Sequence, residues 1–295
     1  MQPVVDEMPP SGLSLWQAVT AGRDSLPAKL RTIAAFVTDD PTEFIRMTSR
    51  EICARLGTSE PTLIRFCRSL GFAGLADFRI ELALAMAERG GGGHVQPQIS
   101  DRRLINPAGK RRIADAALGI IAGDRALLMD NGTTLELLAE RMGSDPTLAP
   151  ATIMTSGLVV AQHLLASGIH QVMLTGGILR EATGALSGRL VETSLRGMNF
   201  DSFVVGADSI DTDGGVSTYS EEEAHANRAM IDAASRVIVL ADHTKFGNAR
   251  LHRICGLQRI SILITDRAPP PDLVSALAGA GAQVVVADQS PKDTT

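Results

Sequence analysis

The sequence predicts an all-α N-terminal domain followed by an α/β domain with a mainly parallel sheet. Apolar residues recur at helical spacing up to about residue 88, and from about residue 106 short apolar runs alternate with helical segments. Between these parts, residues 89–105 include four consecutive glycines and a proline, which predicts a flexible linker. We therefore expect domains at 1–88 and 106–295 joined by a linker at 89–105.

Composition excludes several classes of protein. The net charge is −5, from 28 Lys and Arg against 33 Asp and Glu, so any contact with nucleic acid must be local. Aromatic residues make up only 3% of the chain, which argues against binding single strands by base stacking. No apolar run reaches the roughly 18 residues of a membrane span, and the N-terminus MQPVVDEMPP lacks the features of a signal peptide. We expect a cytoplasmic protein with no membrane partner.

The cysteines do not have the spacing of a metal site. Cys53, Cys67 and Cys255 are expected to be buried small hydrophobic residues. We expect neither a metal nor another cofactor.

Two short helices in the N-terminal domain have the spacing of a helix-turn-helix. They are predicted over Ser49–Leu56 and Glu60–Leu70. Between them, Gly57 can adopt the left-handed turn conformation and Ser59 can cap the second helix. Pro61 is suited to the first turn of that helix, where no N–H is needed.

The second helix has a candidate DNA-binding face. Leu63 and Phe66 point into the core, so the opposite face is free to contact DNA, where arginine can pair with guanine or with phosphate. The alternative is an ordinary helical hairpin whose arginines are merely solvated. The candidate DNA-binding residues are Ser59, Glu60, Pro61, Thr62, Arg65 and Arg68.

The segment TSREICARLGTSEPTLIRFCRSLGFAGLADFRIELA resembles the N-terminal domain of RpiR-type regulators. The shared signs include the Arg-Phe-Cys run, Leu-Gly-Phe and the following Gly-Leu-x-x-Phe, within a pattern that covers about Leu13 to Ala87. The resemblance implies that the second helix is a recognition helix and that the partner is double-stranded operator DNA.

The C-terminal domain contains seven short apolar runs that predict strands alternating with helices. In open parallel sheets ligands bind at the carboxyl ends of the strands, so the loops that follow these runs should converge on one crevice. The runs are Ala126–Met129, Thr152–Met154, Val172–Leu174, Phe203–Val205, Val237–Leu240, Ile262–Ile264 and Val284–Val286.

The first of these loops has the composition of a phosphate site. The strand that ends at Met129 leads into Asp130-Asn131-Gly132-Thr133-Thr134 and then into a helix over Leu135–Met142. A helix N-terminus with a glycine and hydroxyl groups offers N–H donors and a favourable dipole to an anion. Asp130 and Thr133 could instead simply cap the helix.

Further polar loops follow other strands. Lys245 could supply a positive charge or be a solvated surface residue, Asp208 could accept a hydrogen bond from a sugar hydroxyl, and Gly176-Gly177 could be only a turn. For Ser220–Glu223 we favour a capping box that opens a helix over Glu221–Ala234. The candidate effector-binding residues are Asp130, Asn131, Gly132, Thr133, Thr134, Thr155, Ser156, Gly176, Gly177, Arg180, Asp208 and Lys245.

The run from about Arg112 to Asp288 resembles the sensor domain of DeoR-type regulators. The shared signs are DNGTT, TSG, Leu-Thr-Gly-Gly with Arg180, VVGADSID, EEEA with RAMI, LADHTKFG and LITD. That domain is related to ribose-5-phosphate isomerase and the CoA transferases. The resemblance implies that fold, a phosphorylated sugar as effector, and Gly132-Thr133-Thr134 as a phosphate cradle.

The kinship with an isomerase makes a sugar-phosphate isomerase-like enzyme the alternative function. Asp208 and Asp211 lie in a Gly-Ala-Asp-x-x-Asp run like that of the isomerase. The glycine-rich segment that follows in the isomerase carries a catalytic lysine, whereas Gly214–Thr218 has none, and Lys245 belongs to a later strand end. We therefore expect a regulator and not an enzyme.

The pairing of these two domains departs from both families, because an RpiR-like helix-turn-helix precedes a DeoR-like sensor. We expect a homo-oligomer, a dimer or tetramer, in which two recognition helices read two half-sites. Effector binding would then change DNA affinity. The expected function is a repressor of sugar metabolism genes that a phosphorylated sugar releases.

Overall fold

The computed structural model describes residues 12–22, 26–88, 99–143, 152–247 and 249–287. The chain divides into two compact units, Met1–Ile105 and Asn106–Thr295. Within the described ranges, none of the helices is long and apolar enough to cross a bilayer.

The described part of the first unit is helical, as the sequence predicts. Its core contains the rings of Phe44, Phe66 and Phe72, each packed edge-on against Phe78 at centroid distances of 5.4 to 5.8 Å. The helices are α1 (Gly12–Gly22), α2 (Ala28–Asp39), α3 (Pro41–Arg46), α4 (Ser49–Leu56), α5 (Glu60–Ser69), α6 (Leu75–Glu88) and α7 (Ile99–Leu104).

Helices α4 and α5 form the predicted helix-turn-helix. Thr48 and Glu51 make a reciprocal capping box at the start of α4. Gly57 ends α4 in the left-handed conformation, with φ of 59°. The expectation for Ser59 was wrong in one respect: Ser59 is at the N-cap of α5 but makes no side-chain cap, because its hydroxyl lies 3.0 Å from the hydroxyl of Thr62 instead.

The predicted linker differs from the structure in its second half. Residues 89–98, which include its glycines, lie outside the described residues. Residues 99–105 belong to the first unit, with α7 packed on α6. Arg79 on α6 forms a buried ion pair with Asp101 on α7 at 3.3 Å, and this contact holds the short helix in place.

In the described part of the second unit, seven strands form one parallel sheet in the order β12-β11-β9-β6-β1-β2-β3. These are the seven runs that the sequence predicts as strands, and the prediction of an α/β domain is confirmed. The strands are β1 (Ala126–Met129), β2 (Thr152–Thr155), β3 (Val172–Leu174), β4 (Ile178–Arg180), β5 (Ala185–Ser187), β6 (Phe200–Gly206), β7 (Ser209–Asp211), β8 (Gly215–Thr218), β9 (Ala234–Leu240), β10 (His252–Cys255), β11 (Ile262–Thr265) and β12 (Gln283–Val286).

Helices cover both faces of this sheet. One hydrophobic core joins it to α8, α9 and α10, and the other joins it to α11, α12 and α13. Neighbouring residues of one strand serve opposite cores, as Leu127 and Leu128 do in β1. The helices are α8 (Pro107–Ile121), α9 (Thr133–Met142), α10 (Leu158–Ala166), α11 (Arg189–Leu195), α12 (Glu221–Asp232) and α13 (Pro271–Gly279).

Two small antiparallel sheets, which the sequence analysis did not predict, lie outside the main sheet. One is the hairpin of β4 and β5, and the other contains β10, β8 and β7. The hairpin is attached to the loop after β2, because the Leu186 N–H donates to the Ser156 carbonyl at 2.7 Å. Gly177 opens the hairpin with φ of 122°, and a Cβ at this position would lie 2.4 Å from the Ser187 carbonyl oxygen.

Gly177→Ala should therefore destabilise the protein. The strained φ and the clash with the Ser187 carbonyl together should lower the free energy of unfolding by about 2–4 kcal/mol. Gly119→Ala is the control, since Gly119 lies in α8 with no atom within 4 Å of its would-be Cβ, and it should be neutral or stabilising by up to about 1 kcal/mol. Urea denaturation of both variants measures the difference, and equal stabilities would contradict the packing described for the hairpin.

Candidate functional site

The buried carboxylate of Asp130 lies at the centre of the loops that converge at the carboxyl edge of the sheet. Asp130 directly follows β1 and is 2% exposed. One carboxylate oxygen accepts a hydrogen bond from the Ser156 hydroxyl, after β2, at 3.3 Å. The other accepts from the side-chain amide of Asn227, on α12, at 3.2 Å. Asp130 thus joins two strand ends and a helix.

The environment of Asp130 favours its protonated form. Burial raises the pKa of Asp130 to about 7, although the hydrogen bonds from the Asn131 N–H, Asn227 and Ser156 act in the opposite direction. The nearby negative charge of Asp208 contributes to this rise in pKa. Because of this pKa, protonated and ionised forms of the site coexist near neutral pH.

A small cavity of about 10 Å³ lies beside Asp130, with room for about one water. The hairpin covers the cavity through Leu186 and Ser187 of β5, and Arg180 of β4 also lines it. The Arg180 Nη1 atom is buried without a hydrogen-bond partner and lies 3.7 Å from a carboxylate oxygen of Glu223. The cavity thus contains a buried cationic donor that could bind a ligand oxygen.

Two residues of this site, Glu223 and Asn227, were missed by the sequence analysis. Ser220 does cap α12, since its hydroxyl accepts from the Glu223 N–H at 3.2 Å, but the Glu223 side chain also lines the cavity. A usable signal was present for Asn227, because it is a polar residue on the apolar stripe formed by Ala224 and Ile231. Its Oδ1 atom is buried without a hydrogen-bond partner.

The N-terminus of α9 follows directly from this cluster. Helix α9 begins at Thr133, and its N-cap, Gly132, provides no side-chain cap. Thr133 and Thr134 are buried. Gly157 allows the loop after β2 to approach, since a Cβ there would lie 3.1 Å from the Cα of Asn131. The first N–H groups of a ten-residue helix therefore open at the edge of the sheet beside Asp130.

The other predicted effector-binding residues lie in different elements of the second unit and have different partners. Thr155 is fully buried and its hydroxyl donates to the Asp130 carbonyl at 3.4 Å, so it holds the backbone of Asp130 in position. Gly176 and Gly177 begin the hairpin. Asp208 accepts a hydrogen bond from the Thr218 hydroxyl at 2.8 Å. Lys245 lies in the turn after β9, which is two strands from β1 along the sheet.

The predicted DNA-binding residues share one surface of α5. Leu63 and Phe66 are buried in the core, as expected. Thr62 is half-buried, and Glu60 accepts a hydrogen bond from the Ser49 hydroxyl of α4 at 2.5 Å. The exposed members of the predicted set are Ser59, Glu60, Pro61, Arg65 and Arg68.

Among the described residues, the cysteines and the other side chains of metal-ligand type form no further candidate site. Cys67 and Cys255 are buried as expected, but Cys53 is only half-buried, because it lies on the flank of α4. Across the described ranges, no three His, Cys, Asp or Glu side chains come together in a way that could hold a metal ion.

Both units match models of known protein families. Residues 15–89 match the model of the helix-turn-helix domain of the rpiR family. Residues 105–267, more than half of the chain, match the model of the DeoR C-terminal sensor domain.

Similar proteins include several transcription regulators. The chain is 30% identical to the HTH-type transcriptional regulator GlpR of Haloferax volcanii over 88% of its own length and 98% of the relative. It is 32% identical to the transcriptional repressor AccR of Agrobacterium fabrum over 56% of this chain and 63% of the relative. It is 28% identical to the glycerol-3-phosphate regulon repressor of Escherichia coli K12, over 60% of this chain and 69% of the relative.

Among solved structures, the chain is similar to ribose 5-phosphate isomerase A from Neisseria gonorrhoeae, with 15% sequence identity and a TM-score of 0.36. The match covers 48% of this chain and about half, 54%, of the isomerase.

Asp130→Asn should flatten the dependence of stability on pH. The pKa of Asp130 is about 7 in the folded protein and 3.8 as an ordinary aspartate, so the folded state binds the proton more tightly. The contribution of Asp130 to the free energy of unfolding is therefore greatest below about pH 4 and is lost as the pH rises towards 7. Between pH 5 and pH 8 the wild type should lose about 2 kcal/mol more than Asp130→Asn in urea denaturation.

The amide of Asp130→Asn can be accommodated, because the Asn227 side chain can turn its unpartnered Oδ1 towards it. Asp115→Asn is the control for the loss of a carboxylate, since the Asp115 side chain on α8 is 57% exposed and pairs with Arg141 at the surface. Equal pH profiles for wild type and Asp130→Asn would show that Asp130 is ionised throughout this range.

Proposed function

We propose that a phosphorylated sugar controls the binding of this protein to operator DNA. The chain belongs to the family of transcription regulators that carry the DeoR C-terminal sensor domain. In this chain the sensor domain is joined to a helix-turn-helix domain of the rpiR family. Its function is that of a DNA-binding transcription repressor, as in the named relatives. The observations that carry the proposal are the N-terminus of α9, which has no side-chain cap, and the buried Arg180 nitrogen, which has no hydrogen-bond partner.

The chemistry of the site supports a phosphate ester as effector. The N–H groups at the start of α9 and its dipole favour an anion, and Thr133 and Thr134 add hydroxyl donors. Arg180 supplies a cation whose Nη1 atom has no hydrogen-bond partner. Asp130 and Asn227 offer a carboxyl and an amide that can hydrogen-bond to sugar hydroxyls. A phosphorylated effector also agrees with the relative named for the glycerol-3-phosphate regulon.

Effector binding requires the site to open. The cavity of about 10 Å³ is far smaller than the pockets of roughly 300 Å³ or more that hold small ligands. The hairpin of β4 and β5 forms its cover and carries Arg180, so its displacement would both admit the sugar and bring a cation onto the phosphate. The effector would thereby favour one of two arrangements of the second unit.

Helix α5 is the proposed recognition helix. Its exposed face presents Arg65 and Arg68, which can bind guanine in the major groove or clamp phosphate. The other four members of this face, Ser59, Glu60, Pro61 and Thr62, surround its N-terminal end. The proposed assembly is a cytoplasmic homo-oligomer in which two such helices bind two half-sites of the operator. Binding of the effector is proposed to release repression.

We propose further that the protein does not catalyse sugar isomerisation. Its relatives are transcription regulators. One oxygen of Asp211 accepts hydrogen bonds from the backbone of Asp213 and Gly214 within its own turn, and Asp208 is engaged by Thr218. Each carboxylate of the isomerase-like run therefore has one oxygen held by structural hydrogen bonds, while the second oxygen of Asp211 is buried without a hydrogen-bond partner. Turnover of ribose 5-phosphate by the purified protein at the rate of a true isomerase would contradict this.

A thermal-shift screen of the full chain tests the effector class. Phosphorylated sugars and glycerol 3-phosphate, each beside its unphosphorylated counterpart, should raise the melting temperature only when the phosphate is present. For the compound with the largest shift, Arg180→Gln should weaken binding at least about tenfold in calorimetry, because a charged hydrogen bond is lost. Thr133→Ala should cost affinity as well.

Arg189→Gln is the matched control for Arg180→Gln, since Arg189 is an exposed arginine at the start of α11 and should leave affinity unchanged. Equal stabilisation by phosphorylated and unphosphorylated compounds would overturn the proposed phosphate cradle. Wild-type affinity in Arg180→Gln would remove this residue from the site.

Arg65→Ala should weaken DNA binding at least about tenfold, because one good arginine contact to a base contributes roughly 1–3 kcal/mol. The measurement is fluorescence anisotropy with a duplex that the wild-type protein selects from a random-sequence library. Arg31→Ala, an exposed arginine on α2, should bind this duplex like the wild type. If both variants bind alike, the exposed face of α5 is not the DNA-binding surface.

A further inference from the structure

A second cluster of charged side chains lies at the carboxyl end of β11, away from Asp130. Its centre is Asp266, whose side chain is 1% exposed. The backbone N–H and the Nδ1 atom of His243 lie 2.7 and 2.9 Å from the two Asp266 oxygens. The Asn106 side-chain amide donates to Asp266 at 2.9 Å, and Arg112 lies 3.7 Å away.

Asn106 is the first residue of the second unit and is held tightly there. It has φ of 44°, and among the described residues other than glycine it alone has a positive φ. Its Oδ1 accepts from the Gly109 N–H at 3.2 Å and so caps α8, while its Nδ2 donates to Asp266. Gly109 allows this approach, because a Cβ there would lie 2.5 Å from an Asp266 oxygen.

The first unit contains a matching attachment close to its end. Asp101 on α7 pairs with Arg79 at 3.3 Å, and both side chains are 7% exposed. A second guanidinium nitrogen of Arg79 donates to the carbonyl of Met47, the residue before the cap of α4. Arg79 therefore connects α7 to the beginning of the helix-turn-helix.

We propose that Asn106, Asp266, Asp101 and Arg79 are positioning residues that couple the effector site to the helix-turn-helix through the short segment Asp101–Asn106. This inference rests on the proposed function, since it assumes that the second unit senses a ligand and the first binds DNA. Five peptide bonds separate the residue held by Arg79 from the residue held by Asp266. The proposed coupling runs along this short stretch of the covalent chain.

The ligand end of this connection is the three-residue turn His243–Lys245 after β9. It contains both the histidine that contacts Asp266 and Lys245, one of the residues that the sequence predicts to bind the effector. A ligand that engages Lys245 would move this turn and with it the partners of Asp266. Burial acts to raise the pKa of Asp266, but the hydrogen bonds from Asn106 and His243 together outweigh it and lower the pKa, so that an ionised carboxylate holds Asn106 at neutral pH.

Hydrogen exchange of the full-length protein, without effector or DNA, tests the coupling. Asp266→Asn should accelerate exchange about tenfold in the loop 241–247 and also in α7, which belongs to the other unit. Asp124→Asn is the matched control: Asp124 is a carboxylate of the second unit whose side chain is 10% exposed and pairs with Arg236 at 2.8 Å, and its substitution should leave α7 unchanged.

Asn106→Ala provides the second variant. It keeps the pair of His243 and Asp266 but removes the attachment of the chain, so α7 should exchange faster while the loop 241–247 stays close to the wild type. Wild-type exchange of α7 in both variants would overturn the proposal, as would equal acceleration by Asp124→Asn. These results do not depend on whether a sugar phosphate is the effector, which the thermal-shift screen decides separately.

Discussion

The burial of Asp130 is the constraint on which the proposed effector site depends. A carboxylate that is 2% exposed must be hydrogen-bonded or protonated, and here Ser156 and Asn227 surround it. Its partners come from the loop after β2 and from α12, so the same contacts that satisfy the carboxylate bring these elements together. The start of α9 lies beside the cluster because Thr133 follows Asp130 by only three residues.

Much of the second unit could be predicted from the sequence, because buried parallel strands read as continuous apolar runs. The runs at Ala126–Met129 and Val172–Leu174 match β1 and β3 at both ends. The hairpin of β4 and β5 was not predicted, because its place depends on a contact between residues far apart in the sequence, the hydrogen bond from the Leu186 N–H to the Ser156 carbonyl. Glu223 and Asn227 were missed for another reason: their role depends on where α12 packs against β6, β9 and strand β5 of the hairpin, which is a long-range property.

In the first unit, local signals predicted α4 to the residue, and Gly57 ends it as expected. The hydroxyl of Ser59 differs from the expectation because Thr62 lies within hydrogen-bond distance and competes with the backbone N–H groups. Helix α7 has only six residues and depends on the pair of Asp101 with Arg79, so its sequence alone resembled a linker. Tertiary contacts decide such short elements.

The central claim is that a phosphate ester in the second unit changes the affinity of the first for DNA. The most direct measurement is the dissociation constant of the full-length protein for its selected duplex, by anisotropy, at increasing concentrations of sugar phosphates and of the unphosphorylated sugars. At least one phosphorylated compound should change this constant, and its unphosphorylated counterpart should not. A dissociation constant that no phosphorylated sugar alters, or that both forms alter equally, would contradict the claim.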